Sequence, residues 1–312
     1  MAIPLIGVVG PTASGKTQLG AALAKHFGGE VVSADSMQIY KTMDIASAKP
    51  TAAEMDGVPH HLIGFLPPEE PFSLAQYLQA AKAAVADICG RGKVPVLVGG
   101  TGLYVHSLVD NVTLSDSGED PALRAELWAL AEREGGAALL EMLRALDPET
   151  AALLHENNRT RIIRAIEVTK TTGIPFSQHL ADSRREKSPY LPCLVGLTCK
   201  NRQLLYDRID RRVDRMLEAG LLEEARQALG GGQKTAAQAI GHKELRPYLL
   251  GEETLETCVG KLKQATRRYA KRQLTWFRRD PRIQWIYLDE EKNFAEILKK
   301  SVTAVEKSGI LC

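Results

Sequence analysis

The chain has 312 residues, 44% of them apolar and 25% charged, enough for one large or two moderate globular domains with ample core. Forty Lys and Arg against 38 Asp and Glu leave a net charge of +2, so affinity for a nucleic acid must come from a local patch. No apolar run approaches the roughly 20 residues of a membrane span, and the N-terminus runs straight into a strand-like segment with no signal or transit peptide, so a soluble cytoplasmic protein is expected. The five cysteines, Cys89, Cys193, Cys199, Cys258 and Cys312, have neither zinc-ligand nor redox spacing and give no disulfide framework.

In chain order, IPLIGVV (3–9) is a short β-branched run typical of a buried strand. GPTASGKT follows at 10–17, and QLGAALAKHFG then has apolar residues at helical spacing with Gly28 placed to stop the helix. Gly10, Gly15, Lys16 and Thr17 match G-x-x-x-x-G-K-[ST], the P-loop. Glycines let successive N–H groups face one point, and the helix adds unpaired donors and the positive end of its dipole. Lys16 supplies a full charge, and the Thr17 hydroxyl suits Mg2+ held beside a phosphate. The offsets alone arise by chance in roughly 1% of chains this long; the flanking strand and helix lower that further.

EVVSADSMQIY (30–40) is a second strand ending at Asp35, Ser36 and Gln38, and VPVLVGGTGLY (94–104) is a third, ending at Gly99, Gly100, Thr101 and Gly102. A helix between them is expected from a Ser73 cap to about Ala86. Strands alternating with helices imply a parallel sheet, whose ligands bind beyond the carboxyl ends of the strands. Asp35, Thr101 and the P-loop are therefore expected to line one crevice. Taken alone, Asp35 reads equally as a helix cap or a group near the metal, and the glycines as a tight turn.

After Val109 the alternation stops for roughly eighty residues. Asp120-Pro121 opens a helix to about Glu134, Gly135-Gly136 breaks it, Asp147-Pro148 opens another, and Asn158 caps RTRIIRAIEVTKTT, which Gly173 ends. Strand character resumes at Leu194, so an all-helical subdomain at 111–193 is expected inside an α/β core of 1–110 and 194–312. Further on, KLKQATRRYAKRQLTWFRR (261–279) has eight Lys/Arg and no acid. At about 100° per residue, Leu262, Tyr269, Trp276 and Phe277 fall on one side and the cations on the other. A solvated basic helix is the bland reading; a continuous strip for a polyanion is the sharper one.

These readings leave open a kinase for a small metabolite, a prenyltransferase for free adenine nucleotides, and an RNA-binding protein without catalysis. The stretches GPTASGKT, ADSMQIY with KTMDIASAKP, PHHLIG, VGGTGLY, NRTRIIRAIEV, QAIGHKE and YAKRQLTWFR, in that order, resemble the tRNA dimethylallyltransferase family over nearly the whole chain. His242 stands where many relatives have Tyr, and no C-terminal zinc finger of the eukaryotic type follows, so the resemblance is to the bacterial form. It implies a P-loop NTPase-like core that holds dimethylallyl diphosphate with Mg2+ and alkylates the N6 amine of the adenosine 3′ of the anticodon. It implies Asp35 as general base, Thr101 in the same crevice, and Gly10, Pro11, Thr12, Ala13, Ser14, Gly15, Lys16 and Thr17 around the diphosphate; Lys16, with Arg208 or Arg212, is expected on charge to stabilise the leaving group. It also implies tRNA contacts at Asp35, Ser36, Met37, Gln38 and Thr101, and in the insertion at Arg124, Arg159, Thr160, Arg161, Ile162 and Ile163. Arg267, Arg268, Lys271 and Arg272 of the basic helix join that set on charge. A monomer is expected, since no exposed heptad or apolar interface is evident.

Overall fold

A computed structural model describes residues 2–114, 119–230 and 239–311; Cys312 and Gln238 of the QAIGHKE stretch lie outside them. The chain divides into two compact units, Met1–Val109 with Pro189–Cys312, and Asp110–Ser188.

The first unit is built on β1 (Ile3–Val9), α1 (Lys16–His26), β2 (Glu30–Ser33), α2 (Ala52–Met55), β3 (His60–His61), α3 (Leu74–Gly90), β4 (Pro95–Gly99) and α4 (Gly102–Val109). The strands form one sheet in the order β3-β2-β4-β1-β5-β6, with β5 (Tyr190–Thr198) and β6 (Ile283–Tyr287) supplied by the second half of the chain. Every pairing is parallel. Because both faces are covered, β2 and β4 are buried at every residue and β1 at its last five, which explains unbroken apolar runs where a half-exposed strand would alternate. The main core joins Ile6, Val8, Leu19, Leu23, Val96 and Val195. Each such side chain contributes about 1.5–3 kcal/mol on burial. β1 is flanked by β4 and β5, so the loop after it opens at mid-sheet.

Among the described residues beyond β5 this unit adds, besides β6, α9 (Arg202–Glu218), α10 (Leu221–Gly230), α11 (His242–Leu249), α12 (Leu255–Phe277) and α13 (Phe294–Lys307). The Ser73 cap is present and accepts from the Gln76 N–H, but α3 runs four residues past Ala86, to Gly90. β5 begins at Tyr190, earlier than the expected Leu194, and Pro192 sits within it in register with Leu5. β3 is two residues long, too short for any periodicity to register.

The second unit holds α5 (Pro121–Leu146), α6 (Pro148–Ala152), α7 (Arg159–Thr172) and α8 (Phe176–Asp182). Asp120 caps α5 through the Leu123 N–H. Gly135 (φ 84°, ψ 175°) is non-helical and separates two helical stretches within α5, the break expected at Gly135-Gly136. Asn158 occupies the capping position of α7 without a side-chain cap bond, and Gly173 closes α7 in the left-handed region. Leu127, Leu139, Leu143, Ile162, Ile163 and Ile166 form this unit's own core.

Candidate active site

The P-loop is held in shape by backbone conformation and by its neighbours. Gly10 has φ 141°, and a Cβ there would sit 2.4 Å from the Leu197 carbonyl oxygen, so only glycine fits between β1 and β5. Ala13 (φ 63°) and Gly15 (φ 89°) supply the left-handed turns that curl the loop toward the N-terminus of α1. Ser14 Oγ and Lys16 Nζ both donate to the Pro11 carbonyl, at 2.9 and 2.7 Å.

Beyond β2, Asp35 Oδ1 accepts from the Met37 N–H at 2.9 Å, an Asx-type turn that fixes the carboxylate. Beyond β4, Thr101 Oγ1 accepts from the Ser36 N–H at 3.0 Å, so the second and third loops are pinned together. Gly100 and Gly102 are there for close approach: a Cβ would meet Gln273 Nε2 at 2.3 Å in the first case and the Trp276 ring at 2.2 Å in the second. Gln273, buried on α12, accepts from the Thr12 N–H at 2.8 Å and donates to the Gly100 carbonyl at 3.0 Å. One amide therefore ties the P-loop to the third loop. It escaped sequence reading because a glutamine inside a cationic helix looks like surface.

These loops enclose a cavity of about 290 Å³ lined by Thr12, Lys16, Thr17, Asp35, Ser36, Met37 and Gln38. Arg212 of α9 and Tyr269, Arg272 and Gln273 of α12 complete its polar wall. Arg208 stands one turn before Arg212 and donates from Nε to the Ala13 carbonyl at 2.9 Å. Burial, with the neighbouring Arg212 charge, lowers Lys16 to about 7, against a smaller opposing pull from Asp35. Burial also lowers Arg212, and it raises the Tyr269 hydroxyl. A pair of cations whose charged forms are disfavoured, next to a nest of N–H groups, is a site prepared for a polyanion. Among the described residues no cluster of three or more His, Cys, Asp or Glu is arranged to hold a metal.

Comparisons with known proteins agree with this geometry. A family model described as IPP transferase matches residues 38–280, and one described as isopentenyl transferase matches 2–63. A protein of Caldanaerobacter subterraneus subsp. tengcongensis named tRNA dimethylallyltransferase is 49% identical over 301 residues, 95% of this chain and 96% of its own. One of the same name from Bacillus subtilis is 46% identical, covering 96% and 95%. The chain belongs to the tRNA dimethylallyltransferase family. A full-length tRNA isopentenylpyrophosphate transferase from Bacillus halodurans has a similar structure (TM-score 0.70, 43% identity, 99% and 98% covered). So does a eukaryotic dimethylallyltransferase described as acting on tRNA (TM-score 0.80, 29% identity, 95% of this chain and 77% of that one). The fold is P-loop NTPase-like, and the chain is an enzyme of the prenyltransferase type.

Other residues expected from the dimethylallyltransferase resemblance are distributed unevenly. The basic strip on α12 is not continuous: Arg267 makes two hydrogen bonds to Asp210, Lys263 pairs with Asp214, and Lys261 pairs with Glu253. The acids on α9 were invisible to a reading of α12 alone. Arg268 and Lys271 stay exposed, and Arg272 lies over the Tyr269 ring. In the second unit, Thr160 and Arg161 are exposed, and Arg159 reaches Glu132 at 3.2 Å. Ile162 and Ile163 are 0% and 2% exposed, and their side chains belong to the core. Arg124 pairs at 2.9 Å with Glu167, a fully buried carboxylate that also takes Arg164.

Proposed function

We infer that the three loops and α9 divide the work of the family's reaction, transfer of a dimethylallyl group from its diphosphate to N6 of the adenosine 3′-adjacent to the anticodon in tRNA. The observation that carries this reading is the joint lining of one cavity by the P-loop Lys16 and Thr17, by Arg212 and by Asp35. The diphosphate rests against the P-loop N–H groups with Lys16, Arg208 and Arg212 around it. The amine of adenine is a weak nucleophile because its lone pair is delocalised into the ring. Asp35 accepts its proton as the C–N bond forms, a contribution of about 10²–10⁴-fold. As the C–O bond breaks, Lys16 and the arginines stabilise the charge that grows on the leaving diphosphate. Thr101 holds Ser36 and so the Asp35 loop, and Ser36 to Gln38 face the adenosine.

The Thr17 hydroxyl beside this cradle suits a hard cation that draws its remaining oxygens from the diphosphate and water. Mg2+ bound there would supply further charge neutralisation at the leaving group. Thr160, Arg161 and Arg159 of the second unit, with Arg268, Lys271 and Arg272, contact tRNA phosphates. The protein acts as a monomer in the cytoplasm, where its tRNA substrate is found; among the described residues no helix is long and apolar enough to cross a membrane.

The test is direct. Incubation with Mg2+, dimethylallyl diphosphate and unmodified tRNA should yield a prenylated adenosine, detected by mass after nuclease digestion. ATP turnover without tRNA, or transfer to AMP as fast as to tRNA, would replace this reading with one of its rivals.

A further inference from the structure

The apolar end of the cavity has a separate anchoring system. Arg208, Arg212 and Met216 follow one another at four-residue steps on one face of α9, about 6 Å apart along the helix axis. Arg208 reaches the P-loop, while Arg212 and Met216 line the cavity. Along α9 the step from the arginines to Met216 leads from the P-loop to an apolar part of the cavity lining. Ala46, Ile240 and Leu262 line the cavity with Met216.

Ala46 sits on the 43–49 loop, which has no regular structure of its own. The loop is fastened by Glu224 of α10, nearly 180 residues away. One Glu224 oxygen accepts from the Ile45 N–H at 2.7 Å and the other from the Ala46 N–H at 2.9 Å. His242, 1% exposed, donates from Nε2 to the same carboxylate at 2.9 Å and lies two residues after Ile240. Burial opposes the ionised form of Glu224, but the bonds from His242, Ile45 and Ala46 prevail and hold its carboxyl below the usual range. On the other side, Gln38 Nε2 donates to the Ser47 and Ala48 carbonyls at 3.4 and 3.2 Å. Glu224 and His242 are not among the residues lining the cavity, yet they join two of the segments that line it.

We propose that Glu224, braced by His242, is a positioning residue that sets the length of isoprenoid chain the site accepts, by locking Ala46 and Ile240 as the end wall of the cavity. This rests on the reaction inferred above. A dimethylallyl chain is spanned by about one helical turn beyond the diphosphate. A geranyl chain, five carbons longer, must push past Met216 into the wall. With the wall loosened the longer chain is admitted, and the shorter one loses part of its grip without losing its chemistry.

The experiment compares kcat and KM for dimethylallyl and geranyl diphosphate, with unmodified tRNA as acceptor, in wild type, Glu224→Gln and Ile240→Ala. Glu224→Gln keeps the shape but replaces an acceptor with a donor that faces other donors. It should raise KM for dimethylallyl diphosphate severalfold with kcat within about twofold. The geranyl-to-dimethylallyl ratio of kcat/KM should rise at least about tenfold, within the range of discrimination an apolar pocket reaches. Ile240→Ala removes wall volume and leaves the latch intact, so it should shift the ratio the same way even if Glu224→Gln folds poorly. Equal losses with both donors, or an unmoved ratio in a folded Glu224→Gln whatever Ile240→Ala does, while wild type transfers dimethylallyl groups, would overturn the role of Glu224; an unmoved ratio in Ile240→Ala would overturn the wall itself. A wild type that transfers no dimethylallyl group would sink the reaction and this inference with it.

Discussion

The two ends of β2 treat charge in opposite ways. At its first residue, Glu30 has a side chain only 2% exposed and gathers Arg91 Nη2 at 2.8 Å, Lys93 at 2.7 Å and His61 at 2.7 Å. Just past its last residue, Asp35 shares a cavity with Lys16 and Arg212, and among the described residues none of the three joins a salt bridge within 4 Å. The first cluster is complete within the protein. The second leaves cations partly desolvated and unpaired, a state that costs stability unless an anion arrives. Along one strand the contrast separates groups that hold the fold from groups held ready for a ligand.

The largest effect should come from the unpaired end. Asp35→Ala should lower turnover by about 10²–10⁴-fold while changing tRNA affinity little. Steady-state kinetics and a tRNA-binding titration decide it; equal, severe loss of both would assign Asp35 to binding.

A middle-sized effect concerns proton uptake. With Lys16 near 7 in the free protein, the charged form that a diphosphate needs is depleted as pH rises above that value. Bound diphosphate raises the Lys16 pKa again, so binding takes up a proton. Donor affinity should fall by up to about tenfold per pH unit above about 7. Calorimetry with a non-reactive donor analogue in buffers of different ionisation enthalpy should detect that proton in wild type and lose it in Lys16→Met.

The smallest effect belongs to the satisfied end. The Arg91 hydrogen bond, then Lys93 and His61, hold Glu30 well below the usual carboxylate range against the burial that opposes ionisation. Its contribution is therefore complete above the unfolded value of about 4.3 and is lost as pH falls through the depressed folded value. Arg91 and Lys93 are about two-fifths exposed, so removing Glu30 strands no buried cation. Glu30→Gln should cost about 1–3 kcal/mol at pH 7, with kcat unchanged, and should flatten the acid limb of stability measured by denaturant titration.

Much of this was legible in sequence because it is local. The P-loop, the Asp35 turn and the glycines after β4 sit at strand ends that apolar runs announce, and the caps of α3 and α5 are single-residue signals. What was not legible depends on neighbours far along the chain. The pairing of Arg267 and Lys263 with Asp210 and Asp214 turns a uniform strip into isolated cations. Tyr269 and Gln273 enter the cavity because α12 presents that edge to the P-loop, which no helical period encodes. Ile162 and Ile163 lie in the NRTRIIRAIEV stretch, yet their side chains are buried in the core of the insertion.

The amide of Gln273 lies 261 residues after the Thr12 N–H it receives. The P-loop emerges early in synthesis, but the bond that fastens it to the third loop cannot form until Gln273 has been made. At about 5–20 residues per second that delay is roughly 10–50 s. A chain stopped before Gln273 lacks this tie, so the site is finished only once α12 has been made.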